Sequence, residues 1–320
     1  MPLGPGMALS RGSPQAAAYG GIAVAVVAVS TSAILIKFSN AQAGGHFLSV
    51  AAGRMVLSAL LLAPLALTVG RKELLALPRR DVLIMVGIGA VLAAHFSLWI
   101  ASLGRTSVAS SVVLVTSHPV LVALVGHFAL KERLSAVNAG GIALGLAGVA
   151  ILARGDAGAG ASTLMGDLLA FLGGACAGLY ILGGRHTRQR ISLWVYAFVV
   201  YSFCAVFLLV GVAATRSPLL GLPAREWWLF LLMALVPSIL GHTMYNWSLR
   251  HVPATVVSVS LLGEPIGSTL LALLIFDEVP PQLALVGGAI ILVGIVLATW
   301  RLGASKAGRG EGPPIVYEPD

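Results

Sequence analysis

"SLGRTSVASSVVLVTSHP" (102–119) and "SLRHVPATVVSVSLLGEP" (248–265) share one register. Sliding the chain by 146 positions lays Ser102-Leu103 on Ser248-Leu249 and His118-Pro119 on Glu264-Pro265. The same shift lays Lys131-Glu132 on Asp277-Glu278, Gly141 on Gly287 and Gly148 on Gly294. A gap-free match over about fifty residues marks an internal duplication. What the duplicated unit is follows from its solvent.

Of the 320 residues, 58% are hydrophobic and only 10% are charged, and the mean hydropathy is +0.95. Soluble domains carry about 25% charged residues, so this chain has too few charges to cover a water-facing surface. Its 38 glycines suit membrane helices, whose backbones approach closely at small residues. The net charge of +8 would favour nucleic-acid binding in a soluble chain. Here no dense basic run interleaved with aromatics occurs, and nucleic acid is not an expected partner. Cys176 and Cys204 both fall in apolar stretches and read as packing residues.

Ten stretches have the length of a bilayer-crossing helix: 18–36, 47–69, 82–103, 107–130, 134–153, 164–184, 193–214, 227–249, 254–276 and 282–300. Residues 1–17 read as a flexible lead and 301–320 as a disordered tail, with 154–163 joining the halves. "SNAQA" (39–43) resembles a signal cleavage site, but the first stretch is long for a signal and Lys37 interrupts it. With the N-terminus in the cytoplasm, fourteen of the 20 Lys and Arg fall on the cytoplasmic side and five opposite, and Arg54 lies within a span. That bias predicts a bacterial inner-membrane protein with both termini cytoplasmic. Five spans per half is an odd number, so the halves enter the membrane in opposite senses. The expected fold is an all-α polytopic membrane protein of ten transmembrane helices in two inverted five-helix repeats, 18–153 and 164–300.

The stretch 102–152, with "GRMVLSALLL" (53–62) and "GDLLAFLGGACAGLYIL" (166–182), resembles the EamA-type branch of the drug/metabolite transporter superfamily. The resemblance covers about residues 18–300 and implies an alternating-access carrier for small metabolites, often an exporter. The Glu-Pro pair frequent in the ninth helix is present as Glu264-Pro265, whereas the matching first-half position carries His118-Pro119.

Glu264 sits near the middle of its span, where a charged residue costs roughly 2.5–3.5 kcal/mol. Pro265 deprives the Leu261 carbonyl of its usual helix donor. Such a carbonyl is tolerated at this depth only inside protein or beside water, so Glu264, Pro265, His118 and Pro119 are expected beside a polar central pathway. Glu264 reads as a proton or cation site, or else as a permanently paired packing residue. Arg54 could bind a substrate carboxylate, pair with Glu264 or snorkel to the interface. His95 and His242 on equivalent helices are further candidates, as are Trp99, Tyr245 and Asn246; His127 reads as interfacial, and Trp227 and Trp228 as interface belt. Ser30, Thr31 and Ser32 fit backbone bonding as well as substrate contact. Gly141-x-x-x-Gly145 and Gly174-x-x-x-Gly178 read as helix-packing faces. No metal-ligand spacing, nucleotide-binding loop or clustered nucleophile and base appears, so no cofactor and no enzymatic activity are expected. The expected partners are a small solute, protons, the lipid bilayer and a second copy of the chain. The functional expectation is export of a small metabolite such as an amino acid or derivative. Import or exchange of the same solutes is the alternative within transport; a non-transporting membrane scaffold or an intramembrane enzyme is the alternative outside it.

Overall fold

The computed structural model describes residues 14–39, 44–120, 135–156, 160–188, 190–248 and 260–299. All regular elements among them are helical. They are α1 (Pro14–Ser30), α2 (Ser32–Lys37), α3 (Phe47–Thr68), α4 (Arg71–Leu75), α5 (Arg79–Leu103), α6 (Val108–Val115) and α7 (Ala136–Asp156). There follow α8 (Ala161–Thr187), α9 (Leu193–Thr215), α10 (Ala224–Met233), a π-helical segment (Ala234–Thr243), α11 (Met244–Ser248), α12 (Gly263–Phe276) and α13 (Gln282–Thr299).

Seven stretches among the described residues are long and apolar enough to cross a bilayer: Ala17–Lys37, Phe47–Thr68, Arg79–Leu103, Ala136–Asp156, Ala161–Gly184, Leu193–Thr215 and Ala224–Ser248. Val108–Val120, Gly263–Phe276 and Gln282–Ala298 are apolar but shorter. Parts of the predicted spans 107–130 and 254–276 lie outside the described residues, as do His127, Lys131-Glu132, the first 13 residues and the tail. The first helix starts at Pro14, earlier than the predicted residue 18. Proline suits a helix start, where its missing N–H has no intrahelical partner to lose. Outward positions such as Leu83, Val210, Leu274 and Val293 are large, apolar and exposed, the surface a lipid solvent requires.

Three helices expected to be continuous are interrupted. Between α1 and α2, the Thr31 backbone N–H and its hydroxyl both donate to the Ala28 carbonyl, a tight i−3 turn that competes with the helix ladder. A turn at Thr116-Ser117 ends α6 just before His118-Pro119, and a turn at Leu261-Leu262 precedes Glu264-Pro265. The proline-freed carbonyls, each without its usual ladder donor, are met by other groups. Leu261 O accepts the Glu264 backbone N–H at 3.1 Å. Val115 O, one turn before Pro119, lies 3.2 Å from His118 Nδ1. A buried carbonyl takes the nearest donor when its ladder partner is removed.

The tightest packing joins α7 to α13. A Cβ on Gly148 would lie 2.8 Å from the Gly287 carbonyl oxygen, and one on Gly294 would lie 2.9 Å from the Gly141 oxygen. These two contacts fix the helices as antiparallel with backbones touching, an approach only glycine permits. Elsewhere α8 packs on α5 and α6, α9 on α3 and α5, and α1 on the π segment and α12, while α6 meets α12. The largest apolar core gathers α3, α5 and α9, and the polar residues described next sit against it.

Candidate functional site

Arg54 lies two turns into α3 and is fully buried, at 0% exposure. It does not snorkel to an interface. Its Nε donates to Ser238 Oγ at 2.9 Å and its Nη1 to Ser32 Oγ at 3.0 Å. The guanidinium carbon stands 4.5 Å from the Phe96 ring centroid, a cation–π contact. Among the described residues Nη2 has no hydrogen-bond partner.

The π segment explains how Ser238 reaches Arg54. Pro237 sits within it and removes a ladder donor. The wider turn is stitched by side chains: Ser238 Oγ donates to the Met233 carbonyl, and Thr243 Oγ1 to the Ser238 carbonyl, each five residues back. Such segments are rare and are often found at functional sites.

On α5, His95 Nδ1 lies 2.9 Å from the Gly173 carbonyl of α8, so Nδ1 carries the proton that the carbonyl accepts. The His95 ring stacks on Trp99 at 5.9 Å between centroids, and Phe96 meets His242 edge-on at 6.4 Å. Trp99 is buried, and its indole N–H has no partner among the described residues. His95, His118 and His242 lie within electrostatic range of one another, and His95 and His242 within range of Arg54. Glu264 is buried and within range of Arg54, yet the two do not form an ion pair. His118 and Glu264 share no hydrogen bond.

The structure therefore gathers the buried Arg54, His95, Trp99, His118 and Glu264 with the half-buried His242 in one region. Tyr245 stands beside it, within range of Glu264 and packed with Ala18, Ile22, Ala25 and Val29 of α1. Asn246 lies farther along, where its carbonyl accepts from Arg188 at 3.5 Å. Of the helix-one hydroxyls, Ser30 and Thr31 bond backbone carbonyls, and only Ser32 reaches Arg54. Sequence reasoning missed Ser238, Phe96 and the Gly173 carbonyl. Pro237 inside an apolar span was the one available signal for the first of these.

Both ends of the bundle are tied by charge. At the end that carries Ser102 and Val108, Lys37 Nζ meets Glu278 Oε2 at 2.6 Å, and the Val108 N–H donates to the same carboxylate. At the opposite end Glu73 accepts from the Ser192 N–H at 2.7 Å, and Arg190 lies 3.8 Å from Asp81. The polar region is thus enclosed between two sets of ties. Among the described residues no group of three or more His, Cys, Asp or Glu converges as a metal site would.

Comparison with known proteins identifies the family of the chain. An Archaeoglobus fulgidus protein named "Uncharacterized transporter" is 25% identical over 285 residues, 88% of this chain and 97% of its own. The "Uncharacterized transporter YyaM" of Bacillus subtilis is 25% identical over 211 residues, 63% of this chain and 68% of its own. A "Probable terminal-alkyne amino-acid exporter" of Streptantibioticus cattleyicolor is 26% identical over 190 residues, 59% of this chain and 63% of its own. A crystal structure of another protein, 21% identical, superposes with a TM-score of 0.62 over 89% of this chain and 98% of its own, a likeness of fold. The profile of the EamA-like transporter family matches residues 17–154 and again 164–300. The chain belongs to the EamA-like transporter family, as a multi-pass membrane protein.

Proposed function

We propose that the protein is a secondary carrier that exports a small metabolite, such as an amino acid or derivative, by alternating access of two inverted five-helix repeats. The observation that carries this reading is the buried polar region around Arg54, set in a chain otherwise built for lipid. Ionisable groups at such depth usually mark a solute or ion pathway. The family match in two blocks, 17–154 and 164–300, supports the division into two repeats. The glycine seam supports their inversion: exchanging the halves by the 146-residue shift turns the Gly148–Gly287 contact into the Gly294–Gly141 contact. The exporter name of one relative favours export and an amino-acid-like solute.

In this reading Glu264 and His118 flank the midplane and take part in solute or proton binding, with Arg54, His95, His242 and Trp99 forming the wall and Tyr245 and Asn246 lining the cytoplasmic approach. The termini are cytoplasmic, in a bacterial inner membrane, and the Lys37–Glu278 tie closes the external end. Liposomes carrying the protein and offered a labelled metabolite panel, with and without a pH gradient, test the proposal. The gradient should stimulate wild-type transport, and Glu264→Gln should lose that stimulation. A Glu264→Gln carrier with the wild-type pH response would remove Glu264 from coupling. Failure to move any solute would favour a membrane scaffold instead.

A further inference from the structure

Two buried carboxyl groups take no part in the region around Arg54. Asp156 ends α7, and Asp167 lies in the second turn of α8, at the junction of the two family blocks 17–154 and 164–300. They are 2% and 5% exposed. Thr106, in the turn between α5 and α6, donates its hydroxyl to Asp167 Oδ1 at 2.7 Å. The Asp156 and Asp167 carboxyls lie within hydrogen-bonding range of each other, and Oδ2 of each has no donor among the described residues. Each aspartate follows a glycine that pins its backbone. A Cβ on Gly155 would lie 2.7 Å from Leu283 Cβ of α13, and one on Gly166 would lie 2.9 Å from the Thr106 backbone nitrogen. The packing therefore holds the two carboxyls together, although no cation pairs with either among the described residues. Arg105 and Arg154, the charged side chains nearest in the chain, are exposed, and Arg105 bonds the Ala101 carbonyl. Lys37 and Glu278 are engaged with one another. Neither α6 nor α13 carries a charged or titratable side chain, and the next one along α8 is Cys176.

We infer that Asp156 and Asp167 hold one proton between them, a proton-binding clasp that joins α7, α8 and the α5–α6 turn and is separate from Glu264. An ionised carboxylate only accepts hydrogen bonds, so two of them in contact lack a donor until one regains a proton. Two like charges side by side in a buried place repel, and one group stays neutral. The shared proton supplies the missing donor and turns the repulsion into a charge-assisted hydrogen bond. The pair then titrates as a unit. Unfolding exposes both aspartates to water, where above about pH 5 neither keeps its proton. The folded protein thus binds one proton more than the unfolded chain, so the clasp's contribution is present in acid and lost as the pH rises. Thr106 stands two residues from Val108, whose N–H donates to Glu278 of the Lys37–Glu278 tie. On the carrier reading above that end faces the outside, and the clasp samples the external medium. The proton site itself does not need that reading.

Infrared difference spectra of the purified full-length protein, taken between about pH 5 and about pH 9, read the proton directly as a protonated-carboxyl stretch that disappears in alkali. Asp156→Asn and Asp167→Asn each offer an amide donor to the remaining carboxylate in nearly the same volume. Each should lose that band, and Glu264→Gln should keep it. Unfolding midpoints follow the same proton: the wild-type midpoint should fall by a few degrees over that range, and the fall should vanish in either Asn variant. A band and a midpoint profile unchanged in both Asn variants would overturn the inference. Loss of the band in Glu264→Gln would assign the proton to Glu264 and overturn it too. Should neither Asn variant fold, the Glu264→Gln spectrum decides: a band that persists supports the clasp, and no band overturns it. A wild-type midpoint that follows added sodium or calcium at fixed pH, and not the pH, would make the pair a cation site and refute the shared proton. No reading here requires transport, so failure of the clasp and failure of the carrier proposal are told apart.

Discussion

Arg54 concentrates what a single residue can do in this fold. Its charge is buried, and its orientation depends on Ser238, which only the π turn brings within reach. Hydrogen bonds to charged groups contribute about 1.5–3 kcal/mol. Ser238→Ala should therefore destabilise the purified protein by about that amount, seen as a lower denaturation midpoint. Ser30→Ala should cost less, because Ser30 bonds only the Val26 carbonyl within its own helix. The candidate residues were legible one by one, because an ionisable or amphipathic side chain inside an apolar run stands out. Their partners were not. Ser238 looks like any serine in a membrane helix until the ladder shifts to five-residue spacing, and Phe96 looks like lipid-facing apolar surface. Which face each presents is decided by tertiary packing, on which local residue type is silent.

At the scale of elements, the glycines of α7 separate into two kinds. Gly140 has open space where a Cβ would go, whereas its neighbour Gly141 abuts the backbone of α13 at Leu297-Ala298. Gly140→Ala should be neutral or stabilising by a few tenths of a kcal/mol, up to about 1 kcal/mol, through helix propensity. Gly141→Ala and Gly148→Ala should each cost about 1–3 kcal/mol by forcing the backbones apart. Denaturation midpoints of the three variants side by side would show the contrast. The pairing of Gly141 with Gly287 and of Gly148 with Gly294 was readable as a sequence register. That Gly148 touches Gly287, and Gly141 touches Gly294, needed the structure. The helix interruptions were half legible: Pro119 and Pro265 announced them, but the turns fall ahead of the prolines, at Thr116-Ser117 and Leu261-Leu262. There the residues before the ring can use i−3 bonds to satisfy carbonyls.

At the scale of the whole molecule, the polar interior lies between the Lys37–Glu278 tie and the Glu73–Ser192 contact. Lys37 and Glu278 are 25% and 19% exposed, so the pair contributes modestly, up to about 1 kcal/mol. That is enough to bias opening by up to about fivefold. Native Cys204, fully buried and within range of Arg54, can report it. In a Cys176→Ser background, Lys37→Ala should speed maleimide labelling of Cys204 by up to about fivefold. An unchanged rate would show that the tie does not limit entry.

The glycine seam between α7 and α13 sets one more condition on the whole chain. Each added residue turns a helix by about 100° and lifts it by 1.5 Å. One insertion between Gly141 and Gly148 would swing one of them off the partner backbone and drive a bulkier neighbour into it. The seam is thus a vernier that counts residues. Within these two helices the spacing of seven positions between their glycines admits no change.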